Sequence, residues 1–116
     1  VRPQVGTLSL GGLAGCYADC ALVISNDTGP LHLAAAVGTP TVGIFWVGNL
    51  INTATPLRGR HRPIISWTVR CPVCGVDCTT DIYPHRPGED GCPHRDSFVT
   101  DVPVAEVLEA AHELLG

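Results

Sequence analysis

An eight-residue polar turn is the part of the sequence best suited to chemistry. It lies between the apolar residues 21–24 and an alanine-rich segment, and it consists of Ser25, Asn26, Asp27, Thr28, Gly29, Pro30, Leu31 and His32. This order predicts a strand, a loop and the beginning of a helix. The unpaired amides of a first helical turn and the positive end of its dipole favour anions. We therefore expect the turn to hold a phosphorylated ligand.

Asp27 distinguishes this turn from a plain phosphate-binding loop. Thr28 and Gly29 would supply backbone amides, and Pro30 suits the first helical turn, where its missing N–H is no loss. Phosphate would repel a neighbouring carboxylate, so we expect Asp27 to accept hydrogen bonds from neutral hydroxyls beside the phosphate. Phosphate next to hydroxyls describes a nucleotide sugar. His32 can reach an anion, but it equally suits a hydrogen-bonded position in the core.

A simpler interpretation is that Asn26, Asp27 and Thr28 only cap the following helix, as such residues do in many α/β proteins. The same three residues match a glycosylation sequon, which we interpret as accidental in a strand-to-helix turn. The residues alone leave capping and ligand binding open.

A second group with chemical potential is the cysteine cluster, since four of the six cysteines lie between residues 71 and 92. Residues 71–75 have the sequence Cys-Pro-Val-Cys-Gly. Two cysteines separated by two residues and followed by a glycine are the pattern of a zinc knuckle. The predicted ligands are Cys71, Cys74, Cys78 and Cys92, with His94 or His85 as an alternative to one cysteine. Such a site would be structural, because four protein ligands leave no open position. Disulfides, which a reducing compartment disfavours, and free thiols are the alternatives.

The elements that must position these residues follow from the periodicity of the sequence. The predictions are a helix over 8–19, a strand over 21–25, a helix over 29–37 and a strand over 41–46. Gly38 suits a left-handed cap at the end of the second helix, and Pro40 prevents its continuation. A strand, a helix and a strand in this order predict a right-handed βαβ unit, with the polar turn beyond the carboxyl end of its first strand.

The second half of the chain is less regular. Gly48-Asn49 and residues 56–63 indicate loop, and residues 63–67 a short strand. Residues 71–96 have no useful periodicity, and a segment of this kind is usually functional or held by cross-links. The apolar stripe from Val104 to Leu115 predicts a final helix that packs on the sheet, with Asp101 as its cap.

Composition limits the classes of function. At 116 residues and 45% hydrophobic content, the chain can form one domain with a core. The net charge of −4 and the scattered basic residues exclude the surface that nucleic-acid binding needs. There is no apolar run of roughly 20 residues and no signal-peptide pattern. We expect a soluble, cytoplasmic protein and, because methionine is absent, a piece of a longer one.

Residues 23–40, VISNDTGPLHLAAAVGTP, resemble the signature of the ADP-heptose:lipopolysaccharide heptosyltransferase family in its C-terminal nucleotide-sugar domain. The predicted elements fall where that family places them, so the resemblance covers most of the chain. It implies an α/β fold: residues 1–116 would form part of the Rossmann-like, parallel-sheet C-terminal domain of a GT-B glycosyltransferase. Residues 71–96 would be an irregular Cys-rich insertion within it.

The resemblance also implies a function. The enzyme would be an inverting transferase that moves a sugar from an ADP-heptose-like donor to lipopolysaccharide or another envelope glycan at the inner membrane, with no metal at the reacting phosphate. Asp27 would contact the donor sugar, the amides of Thr28 and Gly29 the pyrophosphate, and His32 would support the site. The implied substrate-binding residues are Asn26, Asp27, Thr28, Gly29, Pro30 and His32.

The acceptor site and the catalytic base belong, in that family, to an N-terminal domain outside this chain. We therefore expect no catalytic residue among residues 1–116 and no sugar transfer by this chain alone. Two other interpretations stay open. One is a related transferase that uses another nucleotide sugar, and the other is a small zinc-stabilised interaction module in which the Asp27 turn is only a helix cap.

Overall fold

A computed structural model describes residues 1–54, 59–79, 94 and 97–116. The elements in these residues are α1 (Leu10–Ala18), β1 (Val23–Asn26), α2 (Gly29–Ala36), β2 (Thr41–Trp46), α3 (Val47–Thr53), β3 (His61–Ser66) and α4 (Val104–Leu115). The strands form a parallel sheet in the order β1-β2-β3. The predicted α/β class and the βαβ unit over β1, α2 and β2 are confirmed.

Strand β2 lies at the centre of the described sheet, and its side chains alternate between two helical layers. Val42 is fully buried and packs with Ala110 of α4 on one face. On the other face, a Cβ at Gly43 would lie 2.7 Å from the Leu31 side chain of α2. A distance this short is incompatible with a methyl group, so the absence of a side chain at Gly43 allows α2 to pack closely on β2.

The turn between α2 and β2 forms as its sequence predicts. Gly38 has a φ of +85°, the left-handed conformation of a helix C-cap, and its amide donates to the carbonyl of Ala35 at 3.0 Å. The buried Thr39 then donates its hydroxyl hydrogen to the carbonyl of Tyr17 at 2.6 Å. This bond ties the end of α1 to the βαβ unit.

The connection between β2 and β3 differs from the prediction. Val47–Thr53 form helix α3, although glycine and asparagine near its start indicate loop. The helix contacts both β2 and β3, so tertiary packing offsets its weak intrinsic propensity. Strand β3 begins at His61 rather than residue 63, because pairing with Thr41 and Val42 of β2 extends it.

The predicted cap of α4 is wrong. The N-cap position is occupied by Pro103, and no side chain caps this helix in the described structure. Asp101 instead accepts hydrogen bonds from the hydroxyls of Ser66 at 2.6 Å and Thr68 at 2.7 Å. The carboxylate therefore fixes the segment before α4 to the carboxyl end of β3.

Among the helices of the described residues, none has the length and apolar character needed to span a bilayer.

Candidate functional site

The candidate site lies at the carboxyl edge of the sheet. Because the strands are parallel, the ends of β1, β2 and β3 meet at this edge, where α/β proteins bind ligands. Asp27 directly follows β1, and its amide donates to the carbonyl of Ile44 in β2 at 2.9 Å. The backbone of Asp27 is thereby held against the neighbouring strand.

Both carboxylate oxygens of Asp27 have a side-chain partner. Nε2 of His32, in α2, lies 2.9 Å from Oδ1, and the hydroxyl of Thr53, at the end of α3, donates to Oδ2 at 2.8 Å. A carboxylate has about four lone-pair positions, so each oxygen can still accept a bond from a ligand. The Asp27 side chain is 11% exposed, so it is mostly buried but not closed off from solvent, and the two partners fix its orientation.

The N-terminus of α2 lies immediately beside this carboxylate. Thr28 occupies the N-cap position, but no side chain caps the helix in the described structure. The Thr28 hydroxyl donates to the carbonyl of Asn26 at 3.2 Å and lies 3.3 Å from the hydroxyl of Ser25. The side chains of Asp27 and Thr28 therefore bond to other groups, and neither accepts a hydrogen bond from the first-turn amides of α2 as a capping side chain would.

The space above this helix end is open. Gly29 is exposed, and a Cβ built there would meet no described atom within 4 Å. Pro30 is also exposed and occupies the first turn, where it lacks an N–H. The amides of Leu31 and His32 both turn toward the carbonyl of Thr28. The uncapped end of α2 can thus receive an anion next to the fixed Asp27 carboxylate.

The six predicted binding residues lie in one turn and the first helical turn, but they contribute differently. Asp27 and His32 meet through their side chains, whereas Asn26 is exposed and contributes its carbonyl to the turn. Thr53 belongs to the site and was not predicted. Its only signal in the sequence is that it follows the buried strand β2, which ends at the same edge as β1.

A second concavity lies beyond the end of β2. A cavity of about 190 Å³ is lined by Trp46, Val47, Gly48, Ile51, Cys78 and Thr79. The Trp46 ring stacks on Phe98 with centroids 5.5 Å apart, and its Nε1 donates to the carbonyl of Thr68 at 2.8 Å. Trp46 is therefore held by packing and by its polar tip.

The cysteine cluster lies after β3, separate from Asp27. The ligand atoms of Cys71, Cys74 and His94 all lie within 4.8 Å of one another, so this group can hold a metal ion. Cys78 lies outside this set of three, and its thiol donates to the carbonyl of Val76 at 3.6 Å. The predicted ligand Cys92 and the alternative His85 lie outside the described residues.

Comparison with known proteins identifies a family. The model of glycosyltransferase family 9 (heptosyltransferase) matches residues 4–79, which include the whole Asp27 turn, Thr53 and the first three cysteines of the cluster. No curated protein and no solved structure matches the chain significantly.

Proposed function

The chain belongs to glycosyltransferase family 9, the heptosyltransferase family, and from this premise we propose that it binds the nucleotide-sugar donor of a glycosyltransferase. The proposed donor is ADP-heptose or a closely similar nucleotide sugar. The proposed acceptor is lipopolysaccharide or another glycan of the cell envelope. The observation that carries the proposal is the Asp27 carboxylate, held by two partners beside the uncapped end of α2.

Asp27 is proposed to accept hydrogen bonds from hydroxyls of the donor sugar. His32 and Thr53 fix the carboxylate before the ligand arrives, so little side-chain freedom is lost on binding. Hydrogen bonds between hydroxyls and a carboxylate are charge-assisted and stronger than bonds between neutral groups. Asp27 therefore discriminates between a nucleotide sugar and a nucleotide without a sugar.

The pyrophosphate is proposed to lie over the N-terminus of α2. The amides of Thr28 and Gly29 can donate to phosphate oxygens, and the open space over Gly29 allows the close approach that such bonds require. The helix dipole adds a favourable interaction with the negative charge. The proposed site thus has two parts: the backbone amides bind the pyrophosphate of the donor, and the Asp27 carboxylate binds the hydroxyls of its sugar.

The remaining parts of the reaction are proposed to lie in another domain of the same protein. In the GT-B arrangement an N-terminal domain takes the acceptor and supplies the catalytic base, and this chain forms the C-terminal donor domain. The sugar would then be transferred with inversion at the cytoplasmic face of the inner membrane. This chain contributes donor binding and orientation, not proton transfer.

Calorimetric titration of the intact protein tests the proposal. We expect ADP-heptose and ADP to bind the native protein. The Asp27→Ala substitution should lower the affinity for ADP-heptose by about 10-fold or more. ADP, which has no donor sugar, should lose much less affinity in the same variant. Asp19→Ala, in the exposed residue that ends α1, is the matched control and should bind both ligands like the native protein.

Two results would contradict this assignment. Equal affinities of native protein and Asp27→Ala for the nucleotide sugar would remove Asp27 from the donor site. Equal losses for ADP-heptose and ADP would show that Asp27 does not act on the sugar. A folded, intact protein that binds no nucleotide sugar would overturn the donor-site proposal as a whole and favour an interaction module.

A further inference from the structure

The segment after β3 forms a short antiparallel hairpin that carries three cysteines. The amide of Cys71 donates to the carbonyl of Val76 at 2.9 Å, and the amide of Cys78 donates to the carbonyl of Val69 at 2.8 Å. Between these two hydrogen bonds, Arg70 and Asp77 lie opposite each other in an antiparallel β-bridge. Since side chains alternate across a β-ladder, Cys71 and Cys78 lie on the same face, opposite to that of the Arg70–Asp77 pair.

The turn of this hairpin folds back on Cys71 and directs one backbone amide toward its sulfur. Gly75 adopts a φ of +74°, and its amide donates to the carbonyl of Cys71 at 2.9 Å. The amide of Val73 donates to Sγ of Cys71 at 3.4 Å. An N–H group aimed at sulfur in this way is a feature of zinc knuckles, in which the turn after the first cysteine wraps around its sulfur. Cys71 is 3% exposed, so its side chain is shielded from solvent.

His94 joins this group from a distant part of the chain. Its Nδ1 lies 3.7 Å from Sγ of Cys71, and Sγ of Cys74 completes a set within 4.8 Å. A tetrahedral zinc ion, with bonds of about 2.3 Å to sulfur and about 2.0 Å to nitrogen, sets a sulfur and a nitrogen ligand about 3.5 Å apart. The observed separation is therefore close to that of two ligands of one tetrahedral zinc ion.

We propose that Cys71, Cys74, Cys78 and His94 form a structural zinc site, a centre independent of the proposed donor site. Three thiolates and one imidazole are a common structural ligand set for zinc, whereas hard cations such as Mg²⁺ and Ca²⁺ prefer oxygen. With four protein ligands the ion has no open position for a substrate or a reactive water. Its role is to hold the fold together.

The zinc site would join two parts of the chain that are 23 residues apart in sequence. Cys71 lies on the hairpin that leaves β3, and His94 precedes the segment that Asp101 fixes to Ser66. The hairpin also contributes Cys78 and Thr79 to the wall of the cavity beyond β2. Zinc would thereby stabilise the loop closure between residues 71 and 94 and fix one side of that cavity.

Elemental analysis of the intact protein tests the site. The protein is purified without a metal-affinity step, incubated with zinc and desalted. We expect about one equivalent of zinc per chain, and less than about a tenth of an equivalent in a folded protein would overturn the proposal. A mercurial that modifies thiolates should release this zinc in step with three thiols, a measurement that needs no variant. Bound iron in place of zinc would also contradict the assignment.

Variants assign the ligands. The four variants Cys71→Ser, Cys74→Ser, Cys78→Ser and His94→Ala should each bind zinc at least about 10-fold more weakly. The double variant Cys16→Ser/Cys20→Ser, which removes the two cysteines near the end of α1, is the matched control and should retain all the zinc. Loss of zinc in this control would place the metal elsewhere, and full affinity in Cys78→Ser would overturn its assignment.

A thermal measurement separates a metal site from a disulfide. A chelator should lower the unfolding midpoint of the native protein by about 10 °C or more, and added zinc should restore it. A midpoint lowered by a thiol reductant and unchanged by the chelator would show a disulfide instead. Because none of these measurements depends on a nucleotide sugar, the zinc site and the donor site can fail separately.

Discussion

The hydroxyl of Thr53 lies 2.8 Å from Oδ2 of Asp27, across 26 residues of sequence. The same hydroxyl lies 2.8 Å from the carbonyl of Asn49, and its single hydrogen is shared between the two acceptors. Helix α3 therefore orients the carboxylate that follows β1. Two consecutive helices of the fold, α2 through His32 and α3 through Thr53, meet at one side chain.

Removal of the Thr53 hydroxyl should weaken donor binding without abolishing it. Thr53→Val keeps the shape of the side chain and leaves one oxygen of the mostly buried Asp27 carboxylate without its partner. We expect the free energy of unfolding to fall by about 1–2 kcal/mol and the affinity for ADP-heptose by about 3- to 10-fold. Denaturant unfolding and calorimetry of the intact protein measure the two effects.

Thr53→Ser is the matched control for this change, because it keeps the hydroxyl and loses only a methyl group. It should bind the donor like the native protein. If Thr53→Val and Thr53→Ser bind the donor equally, the hydroxyl does not position Asp27 for binding.

A methyl group at position 29 should block the phosphate without harming the fold. A Cβ at Gly29 meets no described atom within 4 Å, so Gly29→Ala is expected to leave the thermal midpoint unchanged or slightly raised. The amide of Gly29 is proposed to contact the pyrophosphate, and a methyl group on the same residue would hinder the close approach that this contact requires. We expect the affinity for ADP to fall by about 10-fold in a calorimetric titration.

Gly15→Ala, in α1, provides the comparison. A Cβ there also meets no described atom within 4 Å, so the substitution should be equally compatible with the fold and should not change ADP binding. ADP bound with native affinity by Gly29→Ala would show that the pyrophosphate lies elsewhere.

Local sequence patterns predicted the part of the fold that contains the Asp27 turn. Strand β1, helix α2 and strand β2 are each encoded by a short apolar run or by the turn residue Gly38, and these signals need no knowledge of distant contacts. The Asp27 turn therefore lies between β1 and α2, as the sequence predicts.

Contacts between distant residues account for the differences. Helix α3 forms on residues of low helical propensity because it packs on β2 and β3, and no local pattern indicates that Thr53 reaches Asp27. Asp101 resembles a helix cap in the sequence, but its partner Ser66 is 35 residues away. The cysteine spacing predicted Cys71 and Cys74 as neighbours and left His94 and His85 as alternatives, whereas the fold places His94 beside both cysteines.

Asp101 should contribute stability that depends on its charge. The hydroxyl of Ser66, and then that of Thr68, lowers the pKa of this carboxyl by hydrogen bonding to its charged form. The pKa of Asp101 is therefore lower in the folded state than in the unfolded state, where it is about 3.9. At a pH above about 3.9 this difference stabilises the folded protein, and the stabilisation is lost as the pH falls through the folded-state pKa.

Asp101→Asn should therefore lower the free energy of unfolding at pH 7 by about 1 kcal/mol, a modest effect because solvent screens the charge of this exposed residue. The difference from the native protein should shrink below about pH 4. Urea unfolding at several pH values measures both effects. Asp19→Asn, in another exposed aspartate, should differ from the native protein by less than about 0.5 kcal/mol. An Asp101→Asn deficit that persists unchanged in acid would contradict the role of the charge.

His61 should make the fold sensitive to mild acid. This residue begins β3, is 7% exposed, and its Nδ1 lies 2.7 Å from the hydroxyl of Thr41 in the neighbouring strand. Burial lowers the pKa of the imidazole, and the positive charge of Arg60 lowers it further. The unfolded chain then binds more protons than the folded chain below the ordinary histidine pKa of about 6.5, so stability falls as the pH decreases through this range.

We expect the free energy of unfolding of the native protein to rise between about pH 5 and about pH 7, with His61 contributing a slope of at most about 1.4 kcal/mol per pH unit. His61→Gln cannot be protonated and should show a flatter profile in urea unfolding. His112→Gln removes an exposed histidine of α4 and should keep the native slope. If His61→Gln retains the native slope and His112→Gln loses it, the acid sensitivity belongs to α4 and not to the buried pair between β2 and β3.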